Sequence, residues 1–235
     1  ELANEQKSEL MSFATHEIRT PLTVMRGYAT MLLDGDKGEI SPRVRGLLQK
    51  ILISGNDVIT LLSQYLDKSK IELGQIEYIK ADFDVARTIN DILATFQINA
   101  EQKGITLIKA VDIKERHMIF GDQSKIKEVI TNVIDNAIKY TPQGSISVSV
   151  KNNKGYVIIK VSDTGIGIKK ETIPHLFKEF SRVDLKRVNI LGSGIGLYLA
   201  KKFVEAHKGR IWVESEGEGR GTQFFIQLPE AKTKR

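Results

Sequence analysis

Phe13-Ala14-Thr15-His16-Glu17-Ile18-Arg19-Thr20-Pro21-Leu22 is the stretch that decides how the front of this 235-residue chain folds. At about 100° per residue, Leu10, Phe13, Ala14, Ile18, Leu22, Met25, Ala29 and Leu32 gather on one apolar stripe of a long helix. His16 points to roughly the opposite side, with Thr20 and Thr23 beside it and Glu17 on the flank. Pro21 has no N–H, so the carbonyl of Glu17 loses its intrahelical partner and a bend is expected one turn after the histidine. A solvent-facing imidazole beside a carboxylate suits a nucleophile that a second body must approach.

Working outward, this helix runs from residue 1 to about 34 and begins without a capping signal, as if cut from something longer. Residues 34–40 form a turn. Ser41 then offers an N-cap and Pro42 the first position of a second helix reaching about Lys70. Leu47, Leu48, Ile51, Leu52, Val58, Ile59, Leu62, Tyr65 and Leu66 line its apolar side. Two helices of about 40 Å each, joined by a short loop, must lie antiparallel. Their apolar faces are broader than one partner helix covers, which predicts a homodimer closing a four-helix bundle.

Composition narrows the function classes. The chain is 41% hydrophobic and 27% charged, as ordinary soluble globular proteins are. It has no run near the roughly 20 apolar residues of a membrane span and no signal-peptide pattern at its start. A cytoplasmic setting is expected, with any membrane anchor of a longer parent lying upstream of Glu1. The absence of cysteine excludes a disulfide framework and a thiolate metal site. A formal charge of +6 raises the question of a polyanion partner. The basic residues are dispersed, however, and no nucleic-acid reader pattern occurs, so no nucleic-acid partner is expected.

The texture changes at Ser69-Lys70-Ile71-Glu72-Leu73-Gly74, which places a helical hairpin at 1–70, a hinge at 71–74, a second domain at 75–230 and a disordered tail at 231–235. In the second domain, strands are expected at 75–83, 105–111, 116–120, 145–150, 156–162, 210–214 and 222–228. Helices are expected at 84–103, 122–140 and 194–207. This is an α+β layer, with helices on one face of a mostly antiparallel sheet.

Three segments here carry chemistry. On the helix at 122–140, Ile130, Val129, Val133 and Ala137 define the buried side, while Lys125, Glu128, Asn132, Asn136 and Lys139 share the other. An asparagine carbonyl oxygen is a hard, neutral ligand for Mg²⁺, and a lysine adds a point charge for phosphate. Asp163-Thr164-Gly165-Ile166-Gly167 follows a strand directly. Its carboxylate can accept from the exocyclic amine of adenine, whereas guanine presents an oxygen there, so GTP should be rejected. Gly165 and Gly167 let the backbone pass close to a flat base. Gly192-Ser193-Gly194-Ile195-Gly196-Leu197 opens a helix and makes a phosphate cradle of N–H groups. Its spacing is neither that of a P-loop nor that of the dinucleotide fingerprint. Between the two glycine clusters, Phe177 and Phe180 precede Arg182, Lys186 and Arg187, which read as a mobile basic lid.

In this order and spacing, the segments resemble the catalytic core of sensor histidine kinases of two-component systems. Residues 11–22 are similar to the family's phospho-acceptor motif, 132–141 to its Asn motif, and 163–168 and 192–197 to its two glycine motifs. Residues 176–182 are similar to its Phe motif. The resemblance implies a multi-domain α and α+β protein: an antiparallel helical hairpin forming a dimeric four-helix bundle, then an α/β sandwich ATPase domain of the gyrase, Hsp90 and histidine kinase type. It implies ATP and Mg²⁺ as cofactors, with ATP bound by Asn132, Asn136, Lys139, Tyr140, Asp163, Gly165, Gly167, Arg182, Gly192, Gly194, Gly196, Leu197 and Thr222. Asn136 would hold the metal, and Thr222 would support the Asp163 carboxylate. Hydrolytic relatives carry a glutamate near Asn132 to activate water; an amide there fits phosphoryl transfer.

In the implied reaction, His16 attacks the γ-phosphate, Glu17 takes the proton of the other ring nitrogen or orients the ring, and the phosphoryl group passes to an aspartate of a response regulator receiver domain. Thr20 resembles the residue that positions water for dephosphorylating that partner, which implies a bifunctional kinase and phosphatase. Two other readings are an ATP-driven clamp, marked by sustained turnover without phosphoprotein, and a nucleotide-binding scaffold.

Overall fold

The computed structural model describes residues 2–35, 38–111, 115–181 and 194–231. The chain divides into two compact units, Glu1–Ile76 and Glu77–Arg235.

The first unit is a pair of helices, α1 (Leu2–Leu33) and α2 (Pro42–Glu72). Helix α1 is continuous across Pro21. Ser41 caps α2 by accepting from the Val44 amide at 3.3 Å, with Pro42 in the first turn. Hydrogen bonds between the helices hold the antiparallel register. The Arg19 guanidinium donates to Ser63 Oγ at 3.0 Å, and Arg45 donates to the Leu33 carbonyl at 3.0 Å, closing the end of α1. Helix α2 stops where Gly74 adopts φ +66°, with the Gly74 amide bonded to Ile71 and the Gln75 amide to Lys70. That pattern is a Schellman stop, and glycine meets its left-handed φ without strain.

Among the described residues of this unit, only Thr15, Ala29 and Gln64 are buried. The stripe expected to be buried is therefore divided. Ala29 goes inside and Thr15 joins it, while Phe13, Ile18 and Met25 stay exposed, as do Leu47, Ile51 and Val58 on α2. Two helices touch along one seam only, and the apolar arc here is wider than that seam. Leu22, Met25, Leu47, Ile51 and Val58 line an open groove of about 490 Å³.

In the second unit, the helices are α3 (Val85–Gln102), α4 (Gln123–Tyr140) and α5 (Gly196–Ala206). A two-stranded sheet pairs β1 (Ala81–Asp84) with β3 (Met118–Gly121). The main sheet contains β2 (Ile105–Ala110), β4 (Gly144–Asn153), β5 (Tyr156–Asp163), β6 (Arg210–Glu214) and β7 (Thr222–Pro229), in the order β2-β4-β5-β7-β6. Only β2 and β4 run parallel. Lys154 and Gly155 both take positive φ, 50° and 80°, giving the primed turn that a tight hairpin between β4 and β5 needs.

One face of the sheet carries the helices. Val157, Ile159 and Val161 of β5 and Phe224, Ile226 and Leu228 of β7 point inward against Ile126, Ile130, Val133 and Ile134 of α4 and Leu199, Phe203 and Val204 of α5, all buried. Each such aliphatic side chain contributes about 1.5–3 kcal/mol when fully buried. The same period of two aims Asp163 and Thr222 at the inner face, at the end of the core. The strand expected over 75–83 is reduced to Ala81–Asp84. Residues 78–80 are held by side-chain and cap contacts instead of a ladder.

Candidate functional site

Helix α4 is fixed at both ends. Asp122 caps its start, accepting from the amides of Ser124 (3.0 Å) and Lys125 (3.1 Å). Burial works against the Asp122 charge. The Ser124 hydroxyl and the amides of Lys125, Ile79 and Ser124 outweigh it and hold the carboxyl below its usual range. At the other end, the Lys103 ammonium donates to the carbonyls of Ile138 (2.6 Å) and Lys139 (3.0 Å), where a cation meets the negative end of the helix.

Between these ends, Asn132 and Asn136 lie half-buried on the face opposite Val129, Val133 and Ala137. The Asn132 amide donates to the Gly196 carbonyl at 3.4 Å, joining α4 to the first turn of α5. Lys139 pairs with Asp135 at 2.6 Å. On the same face, Lys125 pairs with Glu128 at 3.5 Å.

The Asp163 carboxylate lies at the end of β5, 8% exposed. Burial pushes its pKa up, and backbone hydrogen bonds from Gly165 and Thr222 pull it back in part. The Gly165 amide donates to Oδ1 at 2.9 Å. Thr222 is buried directly across the ladder from Asp163. The Tyr140 carbonyl accepts from the Ile166 amide at 3.1 Å, so the end of α4 is tied to the loop that follows β5. Burial raises the pKa of the Tyr140 phenol.

Two of these glycines cannot be replaced without collision. A Cβ on Gly165 would press on the Tyr140 carbonyl oxygen and come within 2.8 Å of Asp163 Oδ1. Gly167, at φ +70°, has the Gly217 carbonyl where a Cβ would project. Helix α5 begins at Gly196, with Ile195 in the N-cap position. Its approach is tight as well: a Cβ on Gly194 would meet the backbone of Phe180 at 2.9 Å, and Phe180 itself takes φ +54°.

The structure therefore gathers Asn132, Asn136, Lys139, Tyr140, Asp163, Gly165, Gly167, Thr222 and the start of α5 at Gly196 and Leu197 around one end of the sheet. Arg182 and Gly192, with Lys186 and Arg187, lie outside the described residues, as does the expected tail beyond residue 231.

Two participants escaped the sequence reading. The turn after β6 braces the Asp163 loop: the Gly219 amide donates to Ile166 at 2.6 Å, the Gly221 amide to Gly165 at 3.2 Å, and the Ile168 amide to Ser215 Oγ at 3.0 Å. Three alternating glycines at 217, 219 and 221 were the available signal. Thr141 is the other. It is wholly buried, and its Oγ1 has no hydrogen-bond partner among the described residues although it borders Gly165 beside Asp163. An orphaned hydroxyl next to a buried carboxylate fits a site shaped for a polar ligand edge.

In the first unit, His16 stands clear of the helix, with its side chain 77% exposed and Nδ1 3.4 Å from Glu17 Oε1. Thr20 Oγ1 donates to the His16 carbonyl at 3.2 Å, and Thr23 Oγ1 to that of Arg19 at 2.8 Å. Among the described residues, no helix is long and apolar enough to cross a membrane.

Comparison with known proteins gives a consistent result. Residues 6–74 match the His Kinase A (phospho-acceptor) domain, and residues 121–232 match the histidine kinase-, DNA gyrase B- and HSP90-like ATPase. The circadian input-output histidine kinase CikA of Synechococcus elongatus is 34% identical over 97% of this chain and 30% of its own length. The sensor histidine kinase WalK of Bacillus subtilis is 33% identical over 97% of this chain and 38% of its own. The chain thus spans about a third of these curated relatives. Among solved structures, full-length ShkA in complex with AMPPNP shares the fold, with a TM-score of 0.75 over 95% of this chain and 46% of that one at 24% identity. The Acinetobacter baumannii histidine kinase AdeS has a TM-score of 0.64 at 25% identity, over 92% of this chain and 98% of its own.

Proposed function

The chain belongs to the sensor histidine kinase family, as a phospho-acceptor domain followed by the ATP-binding catalytic domain, and on that premise we propose that it transfers the γ-phosphoryl group of ATP to His16. The observation that carries this reading is the exposed imidazole with a carboxylate at Nδ1. Glu17 keeps the proton on Nδ1 and leaves the Nε2 lone pair outward, which is what a nitrogen nucleophile needs. In the transfer, Nε2 forms a bond to the γ-phosphorus, the bond from that phosphorus to the β,γ-bridging oxygen breaks, and ADP leaves. The Nδ1 proton passes to Glu17 as the ring loses its positive charge.

On the nucleotide side, Asp163 accepts the exocyclic amine of adenine, with Thr222 behind it and Gly165 and Gly167 giving the base close passage. The N-terminus of α5, with Gly194, Gly196 and Leu197, faces the phosphates, and Gly192 is assigned to the same cradle by its motif alone. Lys139 and Arg182 balance their charge. Asn136 would hold Mg²⁺, which would supply charge neutralisation on the phosphates. That side chain offers a single neutral carbonyl oxygen, so a bound Mg²⁺ would draw most of its ligands from the nucleotide and water. Asn132, an amide engaged with Gly196, offers no base to activate water. This favours transfer over hydrolysis.

The exposed apolar faces of α1 and α2 favour a homodimer, in which a second hairpin covers them. The hinge expected at 71–74 begins inside α2, which runs to Glu72, so the turn at 73–74 serves as the hinge between acceptor and donor units, and the phosphoryl group then passes to an aspartate of a response regulator. The experiment is incubation with γ-labelled ATP and Mg²⁺. Acid-labile, base-stable label on residue 16 is expected. Continued phosphate release without labelled protein would return the ATP-driven clamp instead.

Thr20 lies one turn from His16 with its hydroxyl parked on the His16 carbonyl. Rotating about χ1, it can hold a water for attack on a phosphorylated partner. Thr20→Ala should slow dephosphorylation of the receiver by at least about tenfold and leave labelling of His16 within about twofold. Loss of both activities would contradict the assignment.

A further inference from the structure

The first residues after the boundary are strapped to the far ends of both nucleotide-facing helices. Tyr78 sets its ring edge-on to His207 (centroids 5.3 Å apart) and to Phe203 (6.5 Å). The Ile79 amide donates to Asp122 Oδ2 at 3.0 Å, and the Lys80 ammonium to the Ala206 carbonyl at 3.0 Å. One partner is the cap of α4 and the others form the last turn of α5.

His207 pins this junction. Its Nδ1 lies 2.7 Å from the Phe203 carbonyl oxygen, so that nitrogen bears the proton, and Nε2 accepts the Asp122 amide at 2.9 Å. The ring is 5% exposed and lies so close to Gly121 that a Cβ there would come within 2.7 Å of Cδ2. A proton on Nε2 would face the Asp122 N–H donor to donor, and the bond must break.

The ring's charged surroundings come from each element packed on it. The strap contributes Lys80. Helix α4 contributes the Asp122 carboxylate and Lys125, which sits 4.7 Å from the Phe203 ring centre and pairs with Glu128. Strand β3 offers only Gly121. Burial, reinforced by Lys80, holds the imidazole below its ordinary value against the opposing pull of the Phe203 carbonyl and Asp122.

We propose that His207 is a positioning residue that ties the strap 78–80 and the start of α4 to the end of α5, and that its protonation lets the strap go. The consequence rests on the kinase reading; the strap does not. With the strap docked, residues 76–77 are the chain between the strap and the α2 stop, whose last hydrogen bond is made by the Gln75 amide. Released, the free chain extends to residue 80 and gains on the order of 10 Å of reach at 3.3–3.6 Å per residue. A longer tether lowers the effective concentration of ATP at His16.

The sign follows from proton counting. The docked state binds fewer protons, so docking is fully held above the ordinary histidine value of 6.5 and is lost as pH falls through the lowered one. The test is amide hydrogen exchange on the full chain without nucleotide, corrected for intrinsic rate, at about pH 7.5 and about pH 5. Protection of the Ile79 amide should fall by at least about tenfold at the lower pH. In His207→Gln, whose amide oxygen keeps an acceptor for Asp122, protection should not change with pH. Tyr78→Ala, which leaves α4 and α5 intact, should be open at both values and covers the case in which His207→Gln fails to fold. Unchanged protection in the wild type, or an equal loss in His207→Gln, overturns the proposal. A chain that shows the transition but takes no label sinks the kinase reading alone; label without the transition sinks the strap alone.

Discussion

His16→Gln will bind ATP as the wild type does and take up no phosphoryl label. Glutamine keeps the length and polarity of the side chain but its amide nitrogen has no lone pair to offer, so the nucleophile is gone while the helix is undisturbed. The imidazole is exposed and takes no part in a core, which removes the usual reason for a substitution to unfold its domain. The loss should reach the detection limit, at least about a thousandfold, because removing the attacking atom of a covalent step leaves only the background reaction. Nucleotide affinity, measured by calorimetry or by displacement of a fluorescent analogue, should stay within about twofold. Label persisting on the variant would move the acceptor elsewhere.

Asp163→Asn should produce the second large effect, and it should fall on binding. The carboxylate is buried at the inward end of β5 and accepts from the Gly165 amide. An amide oxygen in its place gives a neutral hydrogen bond to adenine where a charge-assisted one stood. That difference is worth about 1–1.5 kcal/mol, or about 5- to 12-fold in Kd for ATP. The amide NH₂ can now meet the O6 of guanine, so discrimination against GTP should narrow at the same time. Calorimetry with both nucleotides checks the two halves separately. If ATP affinity fell with no change in the ratio to GTP, Asp163 would be a structural brace and not the reader of the base.

Much of this architecture is legible in the sequence because it rests on short periodicities. The helical faces of α4 follow from Val129, Val133 and Ala137 recurring on one side, and all three are buried. Asp163 falls at the end of an alternating strand, so its inward direction could be counted from Val157. The first helix shows where this counting stops. An apolar stripe says which side avoids water but not what covers it, and Phe13 and Met25 remain exposed in the single chain while Thr15 is buried. Residues 77–80 show a second limit. Tyr78, Ile79 and Lys80 read as a strand from their neighbours, but their partners are His207, Asp122 and Ala206, distant in the sequence. Ser215 and the turn at 217–221 were equally hidden, since a glycine-rich turn does not disclose which loop it clasps.

The hairpin hides little of its own oily surface, and the proposed homodimer makes that arc part of an interface. A second hairpin laid against its helices would secure them, so in the proposed homodimer the free energy that keeps the first unit intact becomes a bimolecular quantity that grows with the logarithm of concentration. Substitutions along that arc will therefore be felt as changes in an association constant, while those inside the second unit are felt as changes in an ordinary melting point.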